Sequence, residues 1–407
     1  MTGENSVDAG AGEGLPRLLY FGDVPVSNSY GGATLLYRLL RGYPQEKLVI
    51  CAPTAGMDAP LPGVRYVSFD ARWPRLLRTR FSPLYCAWIS WRWNAIPRWS
   101  LGLVREFRPE AILTISQTSG WILAWRLAQR ERLPLFVFAH DDHVFYRHLP
   151  RFLWNWAQRS FGEAYRYATA RFCISDAMAE EYGRMYGVAS DIQFPLRDSG
   201  NPVFDEPAPQ VAASRKNLTF AYAGSIQGES GVRQVLAFAA IAANQGHKLV
   251  VYSAQHEAVH RAAAGAPGLD VRAPIPSRDL IGRLRDEADC LLVTASFDPL
   301  NADVVTTQFP SKVSDYSSVG LPVFAWAPAY ASLARFVEAY PDAALLVTDP
   351  EPGALAPAIE NLAGSAELRL RLAKSIIEAG RRVFSPDSAR AEFEARLRSV
   401  GRHGNAG

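Results

Sequence analysis

Apolar and polar positions along the chain follow two patterns. Short continuous apolar runs, many of them β-branched, stand at 18–21, 47–52, 111–115, 135–139 and 172–174, and again at 218–223, 248–253, 290–294, 322–326 and 344–347. Between them lie longer stretches, such as 35–40 and 232–244, in which apolar residues return every three or four positions. The first pattern predicts strands buried on both faces, and the second predicts amphipathic helices packed over them. Strands and helices in alternation build parallel sheets covered by helices, so both halves of the chain predict an α/β fold.

The chain's 407 residues exceed what one hydrophobic core usually supports, and two domains are expected. Residues 201–216 are rich in Pro and Ala and lack periodicity, which predicts a linker. The organisation reads as a loose tail at 1–16, a Rossmann-like domain at 17–200, the linker, a second Rossmann-like domain at 217–380, and a helix with a tail at 381–407. Two such domains are expected to face each other across a cleft lined by the carboxyl ends of their strands, where open α/β sheets bind ligands.

Composition narrows the classes. Nearly half the residues, 48%, are hydrophobic, yet no uninterrupted apolar run is long enough to cross a bilayer, so a soluble or peripheral globular protein is expected. Residues 1–16 have neither a basic start nor an apolar core, which predicts no export signal and a cytoplasmic location. Cysteines 51, 86, 173 and 290 show no paired spacing, and they read as thiols of a reducing compartment rather than a disulfide framework or a zinc site. A net charge of +3 is too small to argue for nucleic acid.

One stretch departs from the alternation. Residues 72–99 carry six arginines, no acid, and Trp73, Trp88, Trp91, Trp93 and Trp99, with Phe81 and Tyr85 among them. Such a segment could lie on an anionic membrane surface, with arginines on head groups and indoles at the acyl boundary. Equally, the aromatics could be core and the arginines a solvated face. Pro83 and Pro97 bracket the run and limit any helix in it to three or four turns.

The segment Gln308-Phe-Pro-Ser-Lys-Val-Ser-Asp-Tyr-Ser-Ser-Val-Gly-Leu-Pro-Val323 sets a lysine and a carboxylate three residues apart where a loop becomes a helix. With Pro310 and Ser311 opening that helix, Lys312 and Asp315 share a face, and Gly320 and Pro322 stop it before a buried strand. Upstream, Ala221-Tyr-Ala-Gly-Ser-Ile-Gln-Gly-Glu-Ser-Gly-Val-Arg233 reads as a strand, a turn with Gly224, Gly228 and Gly231, and a helix start whose amides could hold a diphosphate. In the first half, Gly31 and Gly32 form either a ligand-facing loop or a plain turn. His140 follows a strand end and is placed to touch a sugar hydroxyl or a phosphate, or to serve as a structural histidine. Asp141, Asp142 and His143 beside it make only a local cluster, without the second segment that a metal site needs. Ser175 or Asp176 can cap the helix that follows Cys173-Ile-Ser-Asp-Ala-Met178, or Ser175 can face the cleft.

Taken in order from about residue 18 to 360, these segments resemble the retaining, family-four kind of GT-B glycosyltransferase. Gly31-Gly32 is similar to that family's acceptor-side glycine loop, His140 to the histidine that approaches the donor sugar, and Ile174-Ser175-Asp176 to its I/V-S-E/D strand end. Tyr222-Ala-Gly224-Ser225 is similar to its Y-x-G-R turn, and 309–322 to its P-S-K-x-x-E-Y-x-x-x-G-x-P motif. The resemblance implies sugar transfer from a nucleoside diphosphate sugar to a glycan or lipid-linked acceptor, with retention and without a bound metal or other cofactor. It implies catalytic roles for His140 and Lys312, and donor binding by Gly224, Ser225, Arg233, Thr307, Ser311, Lys312 and Asp315. It also implies that the terminal helix packs back on the first domain, and it fits surface polysaccharide or glycoconjugate synthesis.

The departures from the family pattern are specific. Asp315 occupies the second of two glutamate positions and would bind the ribose, whereas Thr307 occupies the first, whose task is sugar recognition. Ser225 and Ser230 stand where relatives carry Arg and Lys against the diphosphate, so Lys312 or Arg233 would have to balance the leaving charge. A GT-B nucleotide-sugar-binding or scaffold protein without turnover is therefore the alternative. The absence of G-x-G-x-x-G after a strand argues against a dehydrogenase, and an epimerase would have only His140, Asp141 and His143 to supply its acid and base.

Overall fold

The buried apolar runs become strands close to where the pattern puts them. In the computed structural model, which describes residues 14–28, 31–53, 59–69, 76, 79–140, 149–226, 228–263 and 265–401, the chain forms two units. The first holds Met1–Ile174, Met178–Gln193 and Asp387–Gly407, and the second holds Ser175–Ala177 and Phe194–Pro386. The Pro-rich segment 201–216 lies within the second unit.

The first unit is built on β1 (Leu18–Phe21), β2 (Leu48–Pro53), β3 (Arg65–Phe69), β4 (Ala111–Ile115), β5 (Leu135–Ala139), β6 (Ala170–Cys173) and β7 (Asp191–Ile192). They form a seven-stranded sheet in the order β3-β2-β1-β4-β5-β6-β7. Pairing is parallel throughout, with Leu18 opposite both Leu48 and Ala111. β1, β4 and β5 are buried at every position, as strands covered on both faces must be. The Pro386–Gly401 helix lays Phe393 against Phe136, Phe138 and Phe172 at ring distances of 6.3, 5.9 and 5.6 Å, and Arg390 of the same helix donates to the carbonyl of Arg38.

The second unit contains β8 (Thr219–Ala223), β9 (Lys248–Tyr252), β10 (Leu269–Arg272), β11 (Cys290–Thr294), β12 (Val323–Trp326) and β13 (Leu345–Val347). Their order is β10-β9-β8-β11-β12-β13, again all parallel. Its core joins Phe220, Tyr222, Phe238, Leu292, Phe324 and Trp326 with the helices above and below the sheet.

Three strands lie outside the expected set: β3, β7 and β10. All three are sheet edges or end strands, where one flank is open to solvent and half the side chains are polar. Their burial is accordingly broken, with β10 alternating between half-buried and exposed residues, so no continuous apolar run marks them. The helix expected at 232–244 begins earlier, at Gly228, and takes in Gly231 as well, so two of the three glycines expected in the loop open the helix instead. Gly31 and Gly32 likewise form the first residues of the Gly31–Leu40 helix and not the loop before it.

The Trp-rich stretch resolves into two helices, Ser82–Asn94 and Arg98–Phe107. Trp93 is fully buried; it meets Phe21 and Phe69 edge-on and donates to the hydroxyl of Ser119. Trp99 stacks on the same two rings. Trp93 is therefore core, and half-buried Trp99 packs on the same rings. Phe81, Leu84 and Trp91 are exposed, and Trp88 is half-buried with Arg92 over its ring. Trp73 lies outside the described residues.

Candidate functional site

In each unit the strand order reverses at one place. In the second it lies between β8, whose chain leads on to β9, and β11, whose chain leads on to β12 on the other side. Loops following the two strands diverge there, leaving a crevice at the carboxyl edge of the sheet. The β8–β11 ladder is short: only Phe220 and Ala221 pair with Cys290 and Leu291, while β8 pairs with β9 at five positions from Thr219 to Ala223. The buried hydroxyl of Tyr316 enters the seam beyond that ladder. It accepts from the Ala223 amide at 2.8 Å, and its own proton faces the carbonyls of Leu292 and Ala223. A side chain thus takes up the backbone groups that a longer ladder would have paired.

Tyr316 belongs to the short Lys312–Tyr316 helix, which starts directly after Ser311 as expected. Gly320 ends the turn beyond it with a φ of 78°, and a Cβ there would lie 2.6 Å from the carbonyl of Glu206, so glycine is required on two counts. Buried Arg197 fastens this helix from below, donating to the hydroxyl of Ser317 at 2.9 Å and to its carbonyl at 2.7 Å. Ser314 adds a bond to the carbonyl of Leu196. The helix bearing the lysine and the carboxylate is therefore held at both its middle and its end.

Held this way, Lys312 places its ammonium 3.6 Å from the centroid of the Tyr222 ring, the last aromatic of β8. Its Cε would lie 3.3 Å from a Cβ at Gly224, whose φ of 128° is closed to most other residues. Lys312 and Gly224, both expected at the site, are thus brought together. Burial pushes the Lys312 ammonium down to about 7, because desolvation disfavours its charged form. A lysine near this value gains its proton most readily when an anion arrives. Asp315 sits one turn along the same helix, half-buried. Ser225 is exposed, its carbonyl accepting from the Tyr222 hydroxyl.

Two other expected donor residues bond within their own helices. Arg233 lies exposed on its helix and pairs with Glu229 one turn back at 3.7 Å. Thr307 is buried at the end of the Ala302–Thr307 helix, where its hydroxyl donates to the Asp303 carbonyl at 2.9 Å and its own carbonyl accepts from Ser175. That bond gives Ser175 a place against Thr307, while Asp176 pairs with Arg335 at 3.5 Å.

In the first unit the order reverses between β1 and β4. The Gly120–Glu131 helix begins there, and Asp23, from the loop after β1, fills its amino end. A single oxygen of Asp23 accepts from the amides of Ser119 at 2.7 Å and Gly120 at 2.5 Å and from the hydroxyls of Thr118 and Ser119. These are the helix-end amides that would otherwise hold an external anion. Gly120 admits this approach, since a Cβ on it would stand 2.8 Å from the Asp23 nitrogen and 2.9 Å from the Gly22 Cα. His140 is buried directly after β5. Asp141, Asp142 and His143 lie outside the described residues, and among the described residues no three His, Cys, Asp or Glu side chains are grouped to hold a metal ion.

Sequence reading passed over Asp23, Tyr222 and Tyr316 as working residues. Asp23 carries no signal in the sequence, and Tyr222 and Tyr316, though they stand in the motifs quoted above, meet their partners only through the strand order.

Residues 30–193 match the family described as Glycosyltransferase Family 4. No curated protein matches the chain by sequence. Among solved structures, the chain is similar to Anabaena HepE in complex with UDP and glucose at 13% identity and a TM-score of 0.64, covering 94% of this chain and 100% of that one. The sucrose-phosphate synthase of Thermosynechococcus elongatus is similar at 13% identity and a TM-score of 0.66, covering 95% and 100%. A trehalose-phosphate synthase from Burkholderia vietnamiensis is similar at 13% identity and a TM-score of 0.63, covering 97% and 99%. The family match thus lies in the first unit, over residues 30–193, and the chain as a whole has the two-sheet GT-B fold of these structures.

Proposed function

We propose that the second unit binds a nucleoside diphosphate sugar at the β8–β11 seam, that the first unit receives a glycan or lipid-linked acceptor, and that the sugar is transferred with retention. The observation that carries this is the Lys312 ammonium poised over Tyr222 beside Gly224. A diphosphate set there meets a cation, a glycine whose backbone is open, and the amino end of the Gly228–Asn244 helix. The related fold of HepE has been captured with UDP and with UDP-glucose, which supports the donor class. Asp315 then serves the ribose hydroxyls, and the departing phosphate takes the acceptor's proton, its charge balanced by Lys312.

A panel of nucleotide sugars, followed for hydrolysis and for transfer to glycan acceptors, tests the proposal, with the anomeric configuration of the product read by NMR. Turnover that Lys312→Ala abolishes is the expected result. Nucleotide binding with no turnover across the panel would instead establish the second reading, a nucleotide-sugar-binding protein without transfer. That reading draws on Thr307, which stands where the resembled family carries its sugar-recognising glutamate and whose hydroxyl is bonded to its own helix.

We further propose a peripheral position on the cytoplasmic face of an anionic membrane through the Ser82–Asn94 helix. Exposed Phe81, Leu84 and Trp91 supply the apolar surface, and Arg80 and Arg92 the charge. No helix among the described residues is long and apolar enough to cross a membrane.

A further inference from the structure

After β8 and β11, at the carboxyl edge of the same sheet, lies a second polar group that contains no charge. Ser230 comes from the third position of the Gly228–Asn244 helix, Ser296 from just past β11, and Asn301 from the turn that follows. The Asn301 amide nitrogen lies 3.1 Å from the Ser296 hydroxyl and 3.4 Å from that of Ser230, and Ser296 donates to Ser230 at 3.3 Å. The Asp298 amide donates to Ser296 at 3.2 Å and holds the arrangement from the backbone side. Three segments thus converge on one half-buried spot.

Hydrogen-bond accounting decides what fits there. Ser230 accepts in both of its bonds, so its hydroxyl proton is unspent, and the Asn301 amide oxygen has no partner among the described residues. The group therefore offers one donor and one acceptor side by side. Phosphate oxygens at neutral pH chiefly accept, and one placed here would face the Asn301 oxygen with nothing to donate. A sugar hydroxyl both donates and accepts, and matches the pair. Thr307, the residue expected to read the sugar, is committed to Asp303, so its hydroxyl proton is not free for the task. Next to the group, Leu300 is almost wholly exposed at 87% and offers an apolar surface to the C–H face of a pyranose.

We propose that Ser230, Ser296 and Asn301 form the subsite for the hydroxyls of the transferred sugar, with the diphosphate held separately at Lys312. The inference rests on the donor-site reading above and adds which residues choose the sugar. Its signature is a split between nucleotide and nucleotide sugar.

The test is calorimetric titration of the full chain with UDP and UDP-glucose, and with the guanosine, adenosine and cytidine pairs, for the wild type, Asn301→Ala and Ser230→Ala. For whichever pair binds, the variants should hold the free nucleoside diphosphate within about twofold of wild type and the nucleotide sugar about tenfold more weakly, the effect of one lost hydrogen-bonded hydroxyl. Equal weakening of both ligands would place the group on the phosphates and overturn the proposal. Unchanged binding of both would make it a structural knot and overturn it as well. Ser296→Ala, read alongside thermal melts of all variants, guards against a fold defect: the same split from a variant that melts like wild type supports the subsite. If the wild type bound no member of any pair, the donor reading itself would fail and take this inference with it.

Discussion

The Lys312 ammonium lies over the face of Tyr222, 3.6 Å from the ring centroid, where attraction to the ring only partly offsets the loss of water. The result is a lysine titrating at about 7 in place of its ordinary value of 10.5. Below about 7 it is already charged and an incoming diphosphate needs no proton. Above that, binding must take one up. Nucleotide affinity should therefore be flat on the acid side and fall with rising pH, by up to about tenfold per unit, until the lysine of the complex itself loses its proton. Isothermal titration in buffers of different ionisation enthalpy would show uptake of one proton near pH 8, and Lys312→Met should remove it.

The same shift has a consequence for stability. A lysine whose folded value is depressed binds fewer protons folded than unfolded between about 7 and 10.5, so stability rises with pH across that window. Lys312→Met should raise the melting temperature most below pH 7, where the penalty of the buried charge is complete, and progressively less towards pH 10. An equal gain at all pH values would show that the benefit is only apolar.

Tyr316→Phe removes one oxygen and leaves the Ala223 amide without its acceptor inside the seam. A buried donor stranded in this way costs about 1–3 kcal/mol. Urea unfolding should report that loss with an unchanged m-value. An unmoved midpoint would mean that the two strands re-pair.

At the other sheet, Asp23→Ala should cost about 1–2 kcal/mol, as for a lost helix cap. Gly120→Ala should cost about 1–3 kcal/mol, because its methyl meets backbone on the opposing loop and not a movable side chain. Chemical denaturation ranks the two, and a neutral Gly120→Ala would show that the loop moves aside.

The exposed and buried tryptophans should separate cleanly. Leu84→Ser with Trp91→Ser should lower sedimentation with anionic vesicles while leaving the thermal melt in place. Trp93→Ala, emptying a fully buried site, should cost about 3–5 kcal/mol. Vesicle binding that survives the double change would remove this face as the membrane surface.

Central strands were legible in the sequence because burial on both faces writes itself as uninterrupted apolar residues: 111–115, 135–139 and 290–294 fall where β4, β5 and β11 do. Edge strands such as Arg65–Phe69 were not, since mixed exposure breaks the run and pairing with β2 supplies what composition does not. The helix start that carries Lys312 was legible from Pro310 before it and Gly320 after it. Its partner Tyr222 was not, because their meeting depends on β8 and β11 becoming neighbours, and strand order is a property of the whole sheet. Arg233, expected to help balance the diphosphate charge, pairs with Glu229 because residues one helical turn apart meet first.

Phe393 covers three phenylalanines of β5 and β6 that were laid down more than two hundred residues earlier. During synthesis, the uninterrupted stretch from Phe194 to Pro386 holds nearly everything its own unit needs before the last helix leaves the ribosome. The earlier-made sheet must wait with those rings bare. Of these two units, the one whose sheet is made earlier is therefore the one completed later, with an aromatic face bare in the interval.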